Sequence, residues 1–330
     1  MNTQPRSKEL QKNDSKFSAL MAKPEMTVLL ALIVLCVIMV IARPQTFPTV
    51  QNVFNIMRQF SLIAILAVGM GLIIITTGID LSVGSVIALS ATFGAYIFKM
   101  TGAAPIVVLI AVLGMGALCG LANGILVSKV GLPAFIATLG MLSIAKGGAL
   151  LITNGSPISY PETWISVFGG GYIGVVPVTV LVMIAVVIIG FIFANNTLTG
   201  RNVYAVGNSP RAAKLSGIPV DRVITLVYVL TGFFSGLCGL ILIGQMNSAD
   251  PSFGSGYELD VIAAAVIGGI SMAGGEGNVL GVVIGAALMG VLKNMFVLLA
   301  VSGYWQTIII GCVIIGAVAI DSVRKKRAAR

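Results

Sequence analysis

The stretch SLIAILAVGMGLIIITTGIDLSVGS, residues 61–85, decides what kind of molecule this is. Its first seventeen residues carry no charge, and a membrane-spanning helix needs about 20 predominantly apolar residues. The run then breaks on Gly78, Asp80, Ser82 and Gly84. Similar apolar stretches fill the rest of the chain: 26–42, 82–98, 104–127, 133–153, 172–194, 223–244, 261–272, 279–300 and 304–320. With 61–77 they make ten. Six satisfy length and hydropathy unaided; 82–98 is short and carries serines, 261–272 is too short alone, and 133–153 and 279–300 each hold a lysine. The expected fold is all-α, a polytopic transmembrane bundle of about ten spans (eight to ten).

Composition agrees. Apolar residues make up 57 % of the 330 residues and charged residues 9 %, against about 25 % charged in soluble domains. The absence of histidine removes imidazole metal sites, Ser-His and Cys-His nucleophile pairs and histidine proton relays. Cys36, Cys119, Cys238 and Cys312 each sit inside an apolar stretch without paired spacing, and read as free thiols acting as small hydrophobes. No catalytic constellation, metal site or cofactor is expected. The net charge of +9 is too scattered to form a nucleic-acid stripe.

That charge is a topology signal instead. Residues 1–26, the segment 195–222 and residues 321–330 carry the whole surplus. Basic loops stay on the cytoplasmic side, so both termini are placed inside, which requires an even number of spans. Ten spans also put Lys129 inside and leave Arg43, Arg58 and Lys99 outside. The expected organisation is a disordered cytoplasmic tail (1–26), a transmembrane domain (27–320) with a cytoplasmic loop (195–222), and a basic C-terminal tail (321–330). The one sizeable outer loop, 154–171, is rich in Gly, Ser and Pro.

A candidate internal repeat is visible. Asp80-Leu81-Ser82-Val83-Gly84-Ser85 recurs as Asp250-Pro251-Ser252-Phe253-Gly254-Ser255, and residues 130–140 (VGLPAFIATLG) are echoed by 301–311 (VSGYWQTIIIG). In the ten-span arrangement the two halves are inverted. Inverted repeats with interrupted helices at matching places are a transporter feature.

Polar groups inside apolar spans are the candidate pathway or gate residues: Asp80, Ser82, Asn123, Thr138, Glu258 and Asp260. A lone carboxylate in hydrocarbon is costly unless paired or wetted. Asp80 reads either as a group lining the pathway or as a cap on the helix that begins near Ser82; Glu258 and Asp260 read as caps on a later helix. Asn123, Thr138, Asn278 and Asn294 offer donors and acceptors suited to a polyhydroxylated solute, or equally to gluing helices together. Lys146 and Lys293 are expected to snorkel to the headgroups.

The loop 195–222 contains Ser209-Pro210-Arg211-Ala212-Ala213-Lys214-Leu215-Ser216-Gly217, a short helix with its own punctuation. Ser209 suits the N-cap, Pro210 the first turn and Gly217 a left-handed stop. Two helical turns are not stable alone in water, so this helix needs a surface: the membrane, its own bundle or a soluble partner. No GxxxxGK[ST] occurs, so ATP-driven transport would need its ATPase on another chain.

Five segments, in order, resemble the membrane permease subunits of bacterial ABC importers for monosaccharides, the ribose, xylose, arabinose and galactoside group: TTGIDLSVGS (76–85), GLANGILVSKVGLPAFIATLGML (120–142), GRNVYAVGNSPRAAKLSGI (200–218), GYELDVIAAAVIGGISMAGGEG (256–277) and GYWQTIIIGCVIIGAVAID (303–321). The resemblance covers roughly residues 50–321 and is nearest the ribose type. It implies a non-catalytic subunit of the bacterial inner membrane, paired with a second permease subunit as a homodimer, bound to an ABC ATPase subunit and supplied by a periplasmic sugar-binding protein. It also implies that residues 209–217 are the ATPase-coupling loop. The alternative of another class is an ion-coupled secondary transporter of a small polar solute, using Asp80 or Glu258.

Overall fold

The computed structural model describes residues 24–328. Thirteen helices account for most of it: α1 (Pro24–Ala42), α2 (Val50–Ile75), α3 (Val83–Thr101), α4 (Pro105–Ser128), α5 (Ala134–Thr153), α6 (Ser166–Gly170), α7 (Val178–Asn196), α8 (Leu198–Asn208), α9 (Pro210–Leu215), α10 (Val220–Met246), α11 (Tyr257–Ile267), α12 (Val279–Leu298) and α13 (Gly303–Ala328). The tail expected at 1–26 lies outside the described residues up to residue 23, and α1 begins at Pro24. At the other end α13 continues through Ala328, so residues 321–328 prolong the last helix.

Eight of the described helices are long and apolar enough to cross a membrane: α1 to α5, α7, α10 and α12. The polytopic helical bundle expected from the sequence is therefore the fold. In α13 the apolar run begins at Gly303 and, in the sequence, continues to Ile320. Residues 261–267 of the stretch 261–272 fall in α11, whose eleven residues span about 16 Å at 1.5 Å per residue, half a bilayer core, and residues 268–272 lie in the loop that follows. Residues 61–75 fall in the 26-residue α2, which begins at the N-cap Thr49 and tolerates Asn52 near its start because that side chain has a buried partner: Asn52 Nδ2 donates to Asn294 Oδ1 (3.2 Å) and Asn294 Nδ2 donates back (2.8 Å). The stretch 172–194 loses its first residues to a hairpin, β1 (Tyr172–Ile173) on β2 (Val176–Pro177), turned at Gly174.

The core sits around α2, where every residue from Ser61 to Ile75 is buried. Helix α10 lies beside it in the opposite direction: Cys238 approaches Leu62 O, while Gly69 faces Thr231. Helix α4 also runs against α10, with backbones in contact. A Cβ on Gly116 would overlap the Gly232 carbonyl oxygen, and one on Gly232 the Gly116 oxygen. Small residues permit such close approach between membrane helices.

These directions match those of an inverted repeat for the helices they cover. Helix α12 runs against α2 (Asn294 on Asn52, Val282 on Gly71), whereas α4 runs with α2, since both oppose α10. Helices α3 and α4 start at residues 83 and 105, α11 and α12 at residues 257 and 279, the same spacing in both halves. Helices α4 and α12, which correspond by these starts, point in opposite directions, as do α2 and α10.

Candidate functional site

Two regions collect the residues singled out by sequence: the mid-bundle breaks and the connection between α7 and α10.

At the first break α2 ends at Ile75, and Thr77 takes φ +64°, a left-handed conformation uncommon outside glycine. Asp80, 2 % exposed, then folds back on the chain. Its Oδ1 accepts from Ser82 N (2.8 Å) and Ser82 Oγ (2.6 Å). Ser82 holds the cap position of α3 and makes no side-chain cap bond of its own, so Asp80 fixes the turn ahead of the helix rather than bonding deeper N–H groups. Asn123 Nδ2, from α4, donates to Ser82 Oγ (2.9 Å) and lies 3.5 Å from Asp80 Oδ2. Tyr228 Oη, from α10, donates to Ile79 O at 3.3 Å, and Thr138 Oγ1, from α5, lies 3.3 Å from the same oxygen while donating to Ala134 O at 2.8 Å. Four of the six candidate pathway residues are thus one cluster, and Asp80, Ser82, Asn123 and Thr138 are all buried. In this state the cluster locks the break and lines no open passage.

At the second break Asp250 repeats the turn: its Oδ1 accepts from Ser252 N (2.7 Å) and Ser252 Oγ (2.6 Å). The two breaks touch. A Cβ on Gly84 would overlap Gly254 O, one on Gly254 would lie 2.6 Å from Gly84 O, and Glu258 Oε2 packs on the same spot. The two motifs found 170 residues apart therefore meet inside the bundle.

Glu258 and Asp260 stand in the first turn of α11, whose cap position is Gly256 at φ +84° with no side-chain cap bond. Asp260 is not a cap: it forms an ion pair with Lys293 of α12, which also lies over the Tyr257 ring, 5.1 Å being the corresponding distance for Arg58 over Tyr172 and 5.5 Å for this pair. Lys293 therefore does not snorkel. A buried carboxylate within reach outcompetes distant headgroups for the ammonium.

In the connecting region, α9 has the local geometry its residues favour. Ser209 Oγ accepts from Ala212 N at 3.2 Å, Pro210 occupies the first turn, and Gly217 takes φ +80°. Ala213 is buried against the bundle, whereas Arg211, Ala212 and Lys214 face outward and Leu215 is 84 % exposed. Sequence reasoning missed α8, which precedes it. Thr197 caps α8 by accepting from Gly200 N (2.9 Å), and the T-x-x-G spacing at 197–200 was the available signal.

The match to known proteins fits this architecture. Residues 52–318 match the family described as "Branched-chain amino acid transport system / permease component". The chain is 42 % identical over 301 residues to the ribose import permease protein RbsC of Escherichia coli (strain K12), covering 90 % of this chain and 93 % of that one. It is 38 % identical over 301 residues to RbsC of Bacillus subtilis (strain 168), covering 91 % and 92 %. To the galactose/methyl galactoside import permease protein MglC of Escherichia coli (strain K12) it is 35 % identical over 314 residues, covering 90 % and 93 %. No solved structure matches. With the family match spanning most of the chain and these relatives covering nine-tenths of it, the chain belongs to this family of permease components, which includes the sugar-import permeases.

Proposed function

We propose that this multi-pass membrane protein is the transmembrane subunit of an ATP-driven importer in the bacterial inner membrane, forming the translocation pathway for a monosaccharide. The observation that carries the reading is the 42 % identity to a ribose import permease along nearly the full length of both chains. A periplasmic binding protein delivers the sugar to the outer loops, a separate ABC ATPase subunit supplies the energy, and a second permease subunit completes the pathway. The chain crosses ten times, α11 with its following loop counting as one crossing, and both termini are cytoplasmic.

Two surfaces support these roles. Helix α9 turns Arg211, Ala212, Lys214 and Leu215 outward, a small capped helix with its bundle side already occupied, as a seat for a soluble partner requires. On the bundle wall Ser143 and Lys146 of α5 and Ser252 and Ser255 before α11 are exposed. Polar groups at that depth belong against water or protein rather than lipid, which suits a pathway between two copies. Asp80, Ser82, Asn123 and Thr138 form its closed inner lock, and Glu258 and Asp260 stand at the start of the half-length helix beside it.

Reconstitution into proteoliposomes tests this. Uptake of ribose or galactose is expected only with the ATPase, its binding protein and ATP present. Uptake driven by a proton or sodium gradient without the ATPase would overturn the reading. Leu215→Ser is expected to leave insertion intact and abolish sugar-stimulated ATP hydrolysis, read by phosphate release.

A further inference from the structure

Helix α8 meets the bundle at a junction of three backbones. Gly207, in its last turn, is buried. A Cβ there would overlap the carbonyl oxygen of Ile75, at the end of α2, and lie 2.6 Å from Gly275 N. Gly275 N itself donates to Ile75 O at 2.9 Å. A Cβ on Gly274 would lie 3.0 Å from both Gly207 O and Ile75 O. One turn back along α8, Tyr204 Oη donates to Gly277 O at 3.1 Å. The backbones approach directly at these glycines, with the Thr77 and Asn208 side chains packed against Gly274 and Gly275, so α8, the end of α2 and the loop 268–278 form one close-packed junction.

The two segments gripped by α8 lead to the two breaks. Ile75 is the last residue of α2, five positions before Asp80. Its exit is braced by Thr77 N on Ile74 O (2.8 Å) and Gly78 N on Ile73 O (2.9 Å). The loop 268–278 directly follows α11, whose other end begins at the second break. The far ends of both links meet where Gly84 packs on Gly254. One junction at the base of α8 is therefore joined by two short, tightly packed links to one meeting point in mid-bundle. Packed elements of this kind move between discrete arrangements rather than stretching.

We propose that Gly207 and Tyr204 are positioning residues of the transport cycle: they deliver a displacement of α8 and α9 at one point to both discontinuous elements, so that the breaks at Asp80–Ser82 and Asp250–Ser252 open together. This rests on α9 being the seat of the ATPase. Gly207 supplies contact without slack and Tyr204 ties the loop to the same turn of α8. Glycines without neighbours, such as Gly311, have no part in it.

The test uses the assembled transporter in proteoliposomes, with ribose and galactose as probe sugars. It compares Gly207→Ala and Tyr204→Phe with Gly311→Ala as control. The readouts are sugar taken up per ATP hydrolysed and the ATP-dependent change in labelling of Ser252→Cys by a water-soluble thiol reagent. Both junction variants are expected to retain the ATPase and its basal hydrolysis. Uptake per ATP is expected to fall about tenfold in Gly207→Ala, a coupling loss within the usual range for linked sites, and by a smaller factor, about two- to threefold, in Tyr204→Phe, which loses one hydrogen bond. The labelling change should shrink in step, and the control should match the parent. Parental uptake per ATP with an intact labelling change in Tyr204→Phe would overturn the proposal, even if Gly207→Ala fails to insert. Uptake by the parental chain without the ATPase would instead overturn the ATPase seat itself, so the two failures are distinct.

Discussion

The two halves of this chain solve one backbone problem identically and then surround it differently. Asp80 and Asp250 each close the same turn onto a serine two residues on, with bond lengths that agree within 0.1 Å. Yet Asp80 is sealed beneath α4, α5 and α10, while Asp250 stays partly exposed and its Ser252 is open. The helices that follow differ in the same spirit. Asp260 and Lys293 pair between α11 and α12. The positions that correspond by helix start in the first half are Val86 of α3 and Cys119 of α4, both buried in one apolar cluster. A duplicated backbone therefore keeps its turns and helix directions, and each copy's side chains are set by what packs on them. The first half is built as a closed, dry lock and the second as the charged, wetter partner.

The largest effect should come from the ion pair that only the second half has. Removing one partner of a buried pair leaves an uncompensated charge and costs about 3–5 kcal/mol, whereas replacing both by packed apolar groups can be nearly neutral. Lys293→Cys alone is expected to lower the thermal midpoint of the detergent-purified protein sharply, as read by its loss of monodisperse elution after heating. Adding Asp260→Val, which transplants the first half's pair into the second, should restore most of that loss. A double variant as unstable as the single would break the correspondence between α3–α4 and α11–α12.

Next in size is the lock. Asp80→Ala leaves Ser82 N without its acceptor in a buried site and loosens the contact with Asn123. An unsatisfied buried group costs about 1–3 kcal/mol. The expected result is lower yield and a lower thermal midpoint, with sugar preference unchanged among molecules that do assemble. A change of preference at normal yield would mean that Asp80 touches the solute instead of holding the turn.

Much of this was legible in the sequence, for identifiable reasons. Long apolar runs gave the bundle because hydrocarbon forces backbone bonding inside each segment. Ser209, Pro210 and Gly217 gave α9 because caps and stops act over a few residues. The repeated D-x-S-x-G-S gave the paired turns for the same local reason. What stayed hidden was non-local. Nothing near Lys293 in the chain says that Asp260 lies across from it, so the lysine looked like a headgroup anchor. Helix α2 starts about three turns before Ser61, and the partner of its Asn52, Asn294, arrives from the other half. Gly207 is one glycine among 40, and its meaning depends on Ile75 and Gly275 coming from two distant segments. The cluster of Asp80, Ser82, Asn123 and Thr138 was found as residue types but not as a closed unit, because burial is a property of the packed bundle.

The smallest effect is the most direct test of the comparison. Asp250→Ala removes the same two hydrogen bonds as Asp80→Ala, from a turn of the same shape. The difference is solvent. Once Asp250 is gone, water can reach the N–H and hydroxyl of the exposed Ser252, and the penalty for an unmade bond falls to that of an ordinary surface substitution, within about 0.5 kcal/mol. The thermal midpoint should therefore stay close to that of the parent, several-fold less perturbed than in Asp80→Ala under the same assay. If the two variants were equally destabilised, the turn itself would be the source of stability and the sealed surroundings of Asp80 would count for little. If Asp250→Ala were the worse of the two, the second break would have to be closed by a partner, as a second copy packed over Ser252 and Ser255 would close it, and crosslinking at Ser255→Cys would then reveal that copy.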